Sequence, residues 1–148
     1  MKPLNEMKVQ FFSRSVNESF ARVAVAAFIA QLDPTLDELS DIKTAVSEAV
    51  TNSIVHGYKD QIGNIYLTVK IYENGRINIA IRDRGCGIDD VKTAMEPMYT
   101  SKPGGERAGL GFTVMQSFMD KLRVRSRSGY GTTVIMEKML KMRKDAES

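Results

Sequence analysis

In "SEAVTNSIVHGY", Ser47 to Tyr58, the residues Glu48, Asn52 and His56 recur every four positions. On a helix that interval is slightly more than one turn, so a carboxylate, a carboxamide and the only histidine line up beside the apolar positions. A glutamate there can act as a general base. A carboxamide oxygen can ligate Mg²⁺ without cancelling the charge that the metal presents to phosphates. A Glu and an Asn four apart also suit an ordinary solvated helix flank. His56 reads two ways: as a polar contact beside a bound nucleotide, or as a last-turn cation with Gly57 as the left-handed cap.

Three further stretches carry chemistry of a compatible kind. In "IRDRGCGI" a strand ends at Arg82, Asp83 follows, and Gly85 and Gly87 come two and four residues later. A carboxylate fixed at a strand end can accept from an exocyclic amine such as that of adenine. Glycines beside it let a flat ring approach the backbone; an ordinary turn after a strand would use the same residues. In "GGERAGLGFTVM", Gly109 and Gly111 precede a helix, whose first N–H groups make an anion site. Val114 breaks the G-x-G-x-x-G pattern, and no G-x-x-x-x-G-K-[ST] occurs, which excludes a Walker-type loop. In "GYGTT", Thr132 and Thr133 head a strand where a hydroxyl could help hold a base, or where they serve only as strand formers.

The elements that must position these residues follow from periodicity. "MKVQFF" alternates as a strand. Ser15 with Glu18 predicts a capping box opening a helix to about Leu32, where "DP" ends it. "TLDE", Thr35 to Glu38, opens a second helix through about Val55, with Leu39, Ile42, Val46, Ala49, Val50 and Ser53 facing inward. Ile65, Leu67, Val69 and Ile71 alternate, then Ile77, Ile79 and Ile81, with Asn74-Gly75 predicting a type I′ turn. A short helical piece is expected near "DDVKTAM", and a longer one at "FTVMQSFMDKL". Two strands around "SGYG" close the pattern. It predicts a two-layer α/β sandwich: a mixed, mostly antiparallel sheet with helices on one face, in a single domain over residues 1–148.

Composition narrows the class. The 148 residues allow one domain with a real core. No apolar run approaches the roughly 20 residues of a membrane span, and the N-terminus has no signal-like apolar block. With one cysteine no internal disulfide forms, so the cytoplasm is the expected compartment. Cys86 reads as a small filler, and the nine methionines as adaptable core material. Lys121, Arg123, Arg125 and Arg127 alternate along one strand and form a basic face. That face suits nucleic acid, an acidic protein, or simple protection against edge pairing.

In this order and placement, "EAVTN", "DRGCGI", "GLGF" and the final "GTT" resemble the N, G1 and G2 boxes and the last motif of the GHKL superfamily of ATP-binding proteins. The resemblance runs from about Asp37 to Met136. Together with "EPMYTSKPGGERAGLGFTVMQSFMD" and the short length, it looks most like the anti-sigma factor serine kinases of the anti-sigma F type. It implies the Bergerat (GHKL) ATP-binding fold, ATP and ADP as ligands, and Mg²⁺ held through Asn52. Glu48 would be the general base and Asp83 the reader of the adenine amine, with Gly85 and Gly87 giving room. Gly109 and Gly111 would contact phosphate, and Thr132 or Thr133 would assist at adenine. Asp89 to Glu106 would form the ATP lid, from whose neighbourhood Lys102 and Arg107 could reach the γ-phosphate. The resemblance also implies a protein serine/threonine kinase that inhibits a sporulation sigma factor of the sigma F type. Its substrate would be a serine of an anti-anti-sigma factor of the SpoIIAA type. A homodimer is implied, with "ARVAVAAF" as candidate interface and Arg22 as a snorkelling or partner-contacting cation. No membrane or direct nucleic-acid partner is implied. A stress-response kinase of the same family, or a nucleotide-gated binding module without significant kinase activity, remains the alternative.

Overall fold

The computed structural model describes residues 1–95 and 111–141. β1 (Asn5–Phe12) leads into α1 (Val16–Ile29), a 3₁₀ turn (Ala30–Leu32) and α2 (Leu36–Asn52). A π-helical turn (Ser53–Gly57) extends α2, and the hairpin β2 (Asn64–Ile71) and β3 (Arg76–Asp83) follows. The short α3 (Val91–Ala94), α4 (Phe112–Phe118), β4 (Lys121–Arg127) and β5 (Gly131–Met139) complete the chain. The five strands lie in the order β1-β2-β3-β5-β4. Every pairing is antiparallel, so the sheet carries no mixed component.

Strand alternation divides the sheet into two unlike faces. Ile65, Leu67, Val69 and Ile71 on β2 and Ile77, Ile79 and Ile81 on β3 point to the helices and are buried. Ile42, Ala45, Val46, Ala49 and Val50 of α2 and Ala21, Val25 and Ile29 of α1 meet them, all at 0% exposure. Burying such aliphatic side chains stabilises the fold by about 1.5–3 kcal/mol each. The last residue of the β3 inward row is a carboxylate, Asp83, at 4% exposure.

Three local expectations change. Thr35 and Glu38 make the expected capping box, each side chain meeting the other's backbone N–H. Ser15 does not: it is already helical (φ −57, ψ −32), and its side chain makes no cap. Glu18 turns instead to Arg22, one helical turn on. In the β2–β3 loop only Gly75 has a positive φ, at 92°. Gly75 donates to the Tyr72 carbonyl, and Asn74 Oδ1 accepts from Arg76 N–H. The loop is therefore the three-residue kind that ends in a left-handed glycine, not a type I′ turn. Gly57 is not a left-handed cap either. The chain passes through it in a π turn closed by Tyr58 N–H on the Ser53 carbonyl at 2.9 Å.

Candidate active site

α2 brings Glu48 and Asn52 to one flank, both half-buried, and the π turn begins directly after Asn52. Such turns inside helices recur at functional sites because the extra residue re-aims the side chains that follow. Ser53, where the turn begins, still ends the inward stripe of α2, with its N–H on the Ala49 carbonyl. Its hydroxyl donates to Asp83 Oδ2 at 2.8 Å, while Asp83 Oδ1 accepts from Gly85 N–H at 2.9 Å and Thr132 N–H at 3.2 Å. Burial pushes the Asp83 carboxyl above its ordinary range, and these bonds from Gly85, Ser53 and Thr132 offset part of that rise.

The backbone around the carboxylate interlocks. Cys86 N–H donates to the Gly57 carbonyl at 2.9 Å. A Cβ on Gly85 would lie 2.1 Å from that same carbonyl oxygen, and one on Gly57 would lie 2.9 Å from Asp83 Oδ2. Both glycines are there because α2 and the loop after β3 approach too closely for a side chain. Tyr58 ties the same corner: its hydroxyl accepts from Arg84 N–H at 2.7 Å and donates to the Asn64 carbonyl at 2.6 Å.

Asp83, Asn52, Ser53, His56, Gly57, Gly87 and Thr132 line a narrow cavity with Ile88, Phe112 and Val134 as its apolar walls. Its volume of about 20 Å³ holds little more than one water. A buried acceptor among apolar walls suits a flat base bearing an exocyclic amine. Glu48 faces elsewhere. It closes one end of a larger open groove of about 500 Å³ between α1 and α2, lined by Glu18, Arg22, Leu39, Lys43 and Ser47 among others. Gly111, left-handed at φ 70°, caps α4 against it: a Cβ there would lie 2.3 Å from Glu48 Oε2.

The structure thus brings Glu48, Asn52, Asp83, Gly85, Gly87, Gly111 and Thr132 into one region. Thr133 is not part of it. It pairs with Arg82, so its side chain shares the opposite face of the sheet. Lys102, Arg107 and Gly109 lie outside the described residues, as does most of the expected lid; α3 forms where a short helix was expected, capped by Asp90 on Thr93 N–H. His56 lines the cavity. Among the described residues no group of three or more His, Cys, Asp or Glu side chains could hold a metal ion. Asn52 is accordingly the donor that could serve one, with other ligands coming from phosphate oxygens and water.

Sequence reasoning missed the parts that act through shape. Ser53 was legible only as a hydroxyl in an otherwise apolar helix stripe. Gly57 looked like a helix stop, and Phe112, Ile88 and Val134, which wall the cavity, carried no pattern that marked them as part of a site.

A fold of this kind, with a carboxylate at the end of the third strand facing a helix flank, defines a nucleotide-binding α/β sandwich. The family model "Histidine kinase-like ATPase domain" matches residues 13–138. The RsbU and RsbW domains of a Mycobacterium tuberculosis protein superpose with a TM-score of 0.69 at 18% identity, over 93% of this chain and 32% of that one. At that identity the likeness shows the fold. The anti-sigma F factor of Clostridium novyi (strain NT) is 60% identical over 93% of this chain and 96% of its own length. That of Priestia megaterium is 55% identical over 92% and 93%. The chain belongs to the histidine kinase-like ATPase family and, within it, to the anti-sigma F factors.

Proposed function

We propose that the chain binds and inhibits a sigma factor of the sigma F type and, with ATP, phosphorylates a serine of an anti-anti-sigma partner. The relatives' names support the sigma factor. The observation that carries the kinase reading is the position of Glu48, at the end of the open α1–α2 groove and one helical turn before Asn52, which lines the Asp83 cavity. Adenine would donate its amine to Asp83 while Thr132 and the apolar walls hold the ring. The triphosphate would then extend past Asn52 toward Gly111; Gly109, Lys102 and Arg107, which the sequence reading assigns to phosphate contact, lie outside the described residues. Mg²⁺, held in part by Asn52 when bound, would neutralise the triphosphate charge. A partner serine entering the groove would give its proton to Glu48 as its oxygen attacks the γ-phosphorus, the bond from that phosphorus to the β–γ bridging oxygen breaks, and ADP leaves.

A homodimer through α1 belongs to the same proposal. Val16, Phe20 and Val23 leave 70%, 47% and 62% of their surface exposed along one helix face. No helix among the described residues is long and apolar enough to cross a membrane.

The test is incubation with Mg²⁺, γ-labelled ATP and a purified anti-anti-sigma protein, comparing wild type with Glu48→Ala. Acid-stable label on the partner, lost in the variant, is the expected result. Acid-labile label would mean histidine phosphorylation, and free phosphate alone would make the chain an ATPase.

A further inference from the structure

The strand register sets out the sheet face opposite the helices, which no element among the described residues covers. Gln10, Tyr66, Arg82, Thr133 and Arg125 form one cross-strand row. Lys8, Thr68, Ala80, Ile135 and Arg123 form the next. The acids of this face sit at its hairpin end, where Glu6 meets Lys70 at 3.6 Å and Glu137 meets Arg76 at 3.1 Å. At the other end Arg82, Arg84, Arg123, Arg125 and Arg127 are all exposed, and no ion pair among the described residues neutralises them.

These five arginines flank a trough. Arg82 and Arg84 rise from β3 and its exit, and Arg123, Arg125 and Arg127 from β4; between them β5 offers a low floor of Gly131, Thr133 and Ile135. The two ridges stand about 10 Å apart, two strand spacings, and the β4 arginines repeat about every 6.7 Å. Aromatic rings lie beside both ridges: Arg82 and Arg84 stand 5.7 and 5.3 Å from the Tyr66 ring centroid, and Arg127 stands 4.3 Å from that of Tyr130. Edge protection would account for β4 but not for the arginines of β3, which is an interior strand. An acidic protein would need a larger apolar centre than the single Ile135 supplies.

We infer that this trough binds single-stranded nucleic acid, its arginines on the phosphates and Tyr66 and Tyr130 stacking on bases. The inference stands apart from the kinase reading, since the trough and the Asp83 cavity lie on opposite faces of the sheet.

The test is fluorescence anisotropy of a labelled oligothymidylate of about 20 nucleotides with the full chain. Five phosphate contacts predict a log–log salt slope near −3.5, so affinity should fall about 100-fold between about 50 and 200 mM salt. Arg123→Ala/Arg125→Ala should bring the slope to about −2. Tyr66→Ala should weaken binding with the slope unchanged. Circular dichroism checks folding, and Arg82→Ala replaces the double variant if that one unfolds. Absence of binding at low salt, a slope insensitive to the arginines, or displacement by polyglutamate at equal charge would each overturn the inference. The last outcome would make the trough an acidic-protein surface.

Discussion

At its Arg76 end, β3 carries a guanidinium that meets Glu137 at 3.1 Å and lies 3.9 Å from the Tyr72 ring centroid, with 32% of the side chain still in water. At its other end Asp83 is 4% exposed and takes hydrogen bonds from Ser53, Gly85 and Thr132. Both are charges at the end of one strand, but they were obtained differently. Arg76 keeps about a third of its side-chain surface in water, so its pair is still screened by solvent and adds little, about 0–1 kcal/mol. Asp83 gave up its water, and the surrounding chain had to be built around it: a hydroxyl, Ser53, at the end of the α2 inward stripe, a π turn that carries Gly57 against it, and glycines at 57 and 85 to admit the backbone. A charge held at the surface leaves its neighbours free to vary. A buried one commits them.

The largest effect should come from breaking that commitment sterically. Gly85→Ala sets a methyl 2.1 Å from the Gly57 carbonyl oxygen, and the obstructing atom is backbone. We expect a loss of about 3 kcal/mol in urea unfolding, at the upper end of overpacking penalties. Binding of a fluorescent ATP analogue should be lost with it. A loss under about 1 kcal/mol would show that the corner can open, and that its interlock is not what holds Asp83.

Asp83→Asn tests the charge alone. Burial raises the folded carboxyl above its ordinary 3.8, so the folded chain holds this proton more tightly than the unfolded chain does. Stability from this group is therefore fully present below 3.8 and is lost as pH rises through the folded value. The asparagine variant lacks this titration, so its stability relative to wild type should improve across that window. Nucleotide affinity should meanwhile fall at least about tenfold, the equivalent of one buried hydrogen bond. Parallel unfolding curves for the two proteins across the window would show that Asp83 does not titrate as its burial implies.

The same contrast explains what the sequence made legible. Periodicities that repeat over a whole element, such as Ile65 to Ile71 and Ile77 to Ile81, reported the sheet and its buried face directly. The Asn74-Gly75 pair indicated a turn but not its geometry, because the same two residues serve several hairpin loops. Glu48, Asn52 and Asp83 were readable as a set because their types and order are unusual together. Ser53 was readable as facing inward but not as a donor to Asp83, 30 residues away, and Gly57 was not readable because its use depends on a π turn that no local preference announces. Thr132 and Thr133 could not be told apart until the register put one on each face.

The two helix starts offer an intermediate case. Ser15-x-x-Glu18 and Thr35-x-x-Glu38 are the same signal, yet only the second becomes a reciprocal cap. Burial alone would raise Glu38, but backbone N–H groups of Thr35 and Lys141 bring its carboxyl below the ordinary 4.5. Its contribution is thus present above 4.5 and is lost as pH falls through the lower folded value. Thr35→Ala should cost about 1 kcal/mol near neutral pH, and Ser15→Ala less than about 0.5. Equal losses at the two positions would mean that Ser15 caps α1 in solution.

The smallest effect belongs to the Arg76 end itself. Arg76→Ala removes both the Glu137 pair and the contact with Tyr72, so a simple sum of contacts would predict a sizeable loss. Against that, the guanidinium regains full hydration only in the unfolded state and recovers its side-chain freedom there. A neighbouring cation, Lys121, also lies directly across from Glu137 and can take over part of the pairing. The expected cost is about 0.5 kcal/mol, shrinking further as salt screens the half-buried pair. Denaturation of wild type and variant at low and high salt measures it. A salt-insensitive loss above about 1 kcal/mol would mean that Arg76 works through packing on Tyr72, and that the two ends of β3 are less different than their exposure suggests.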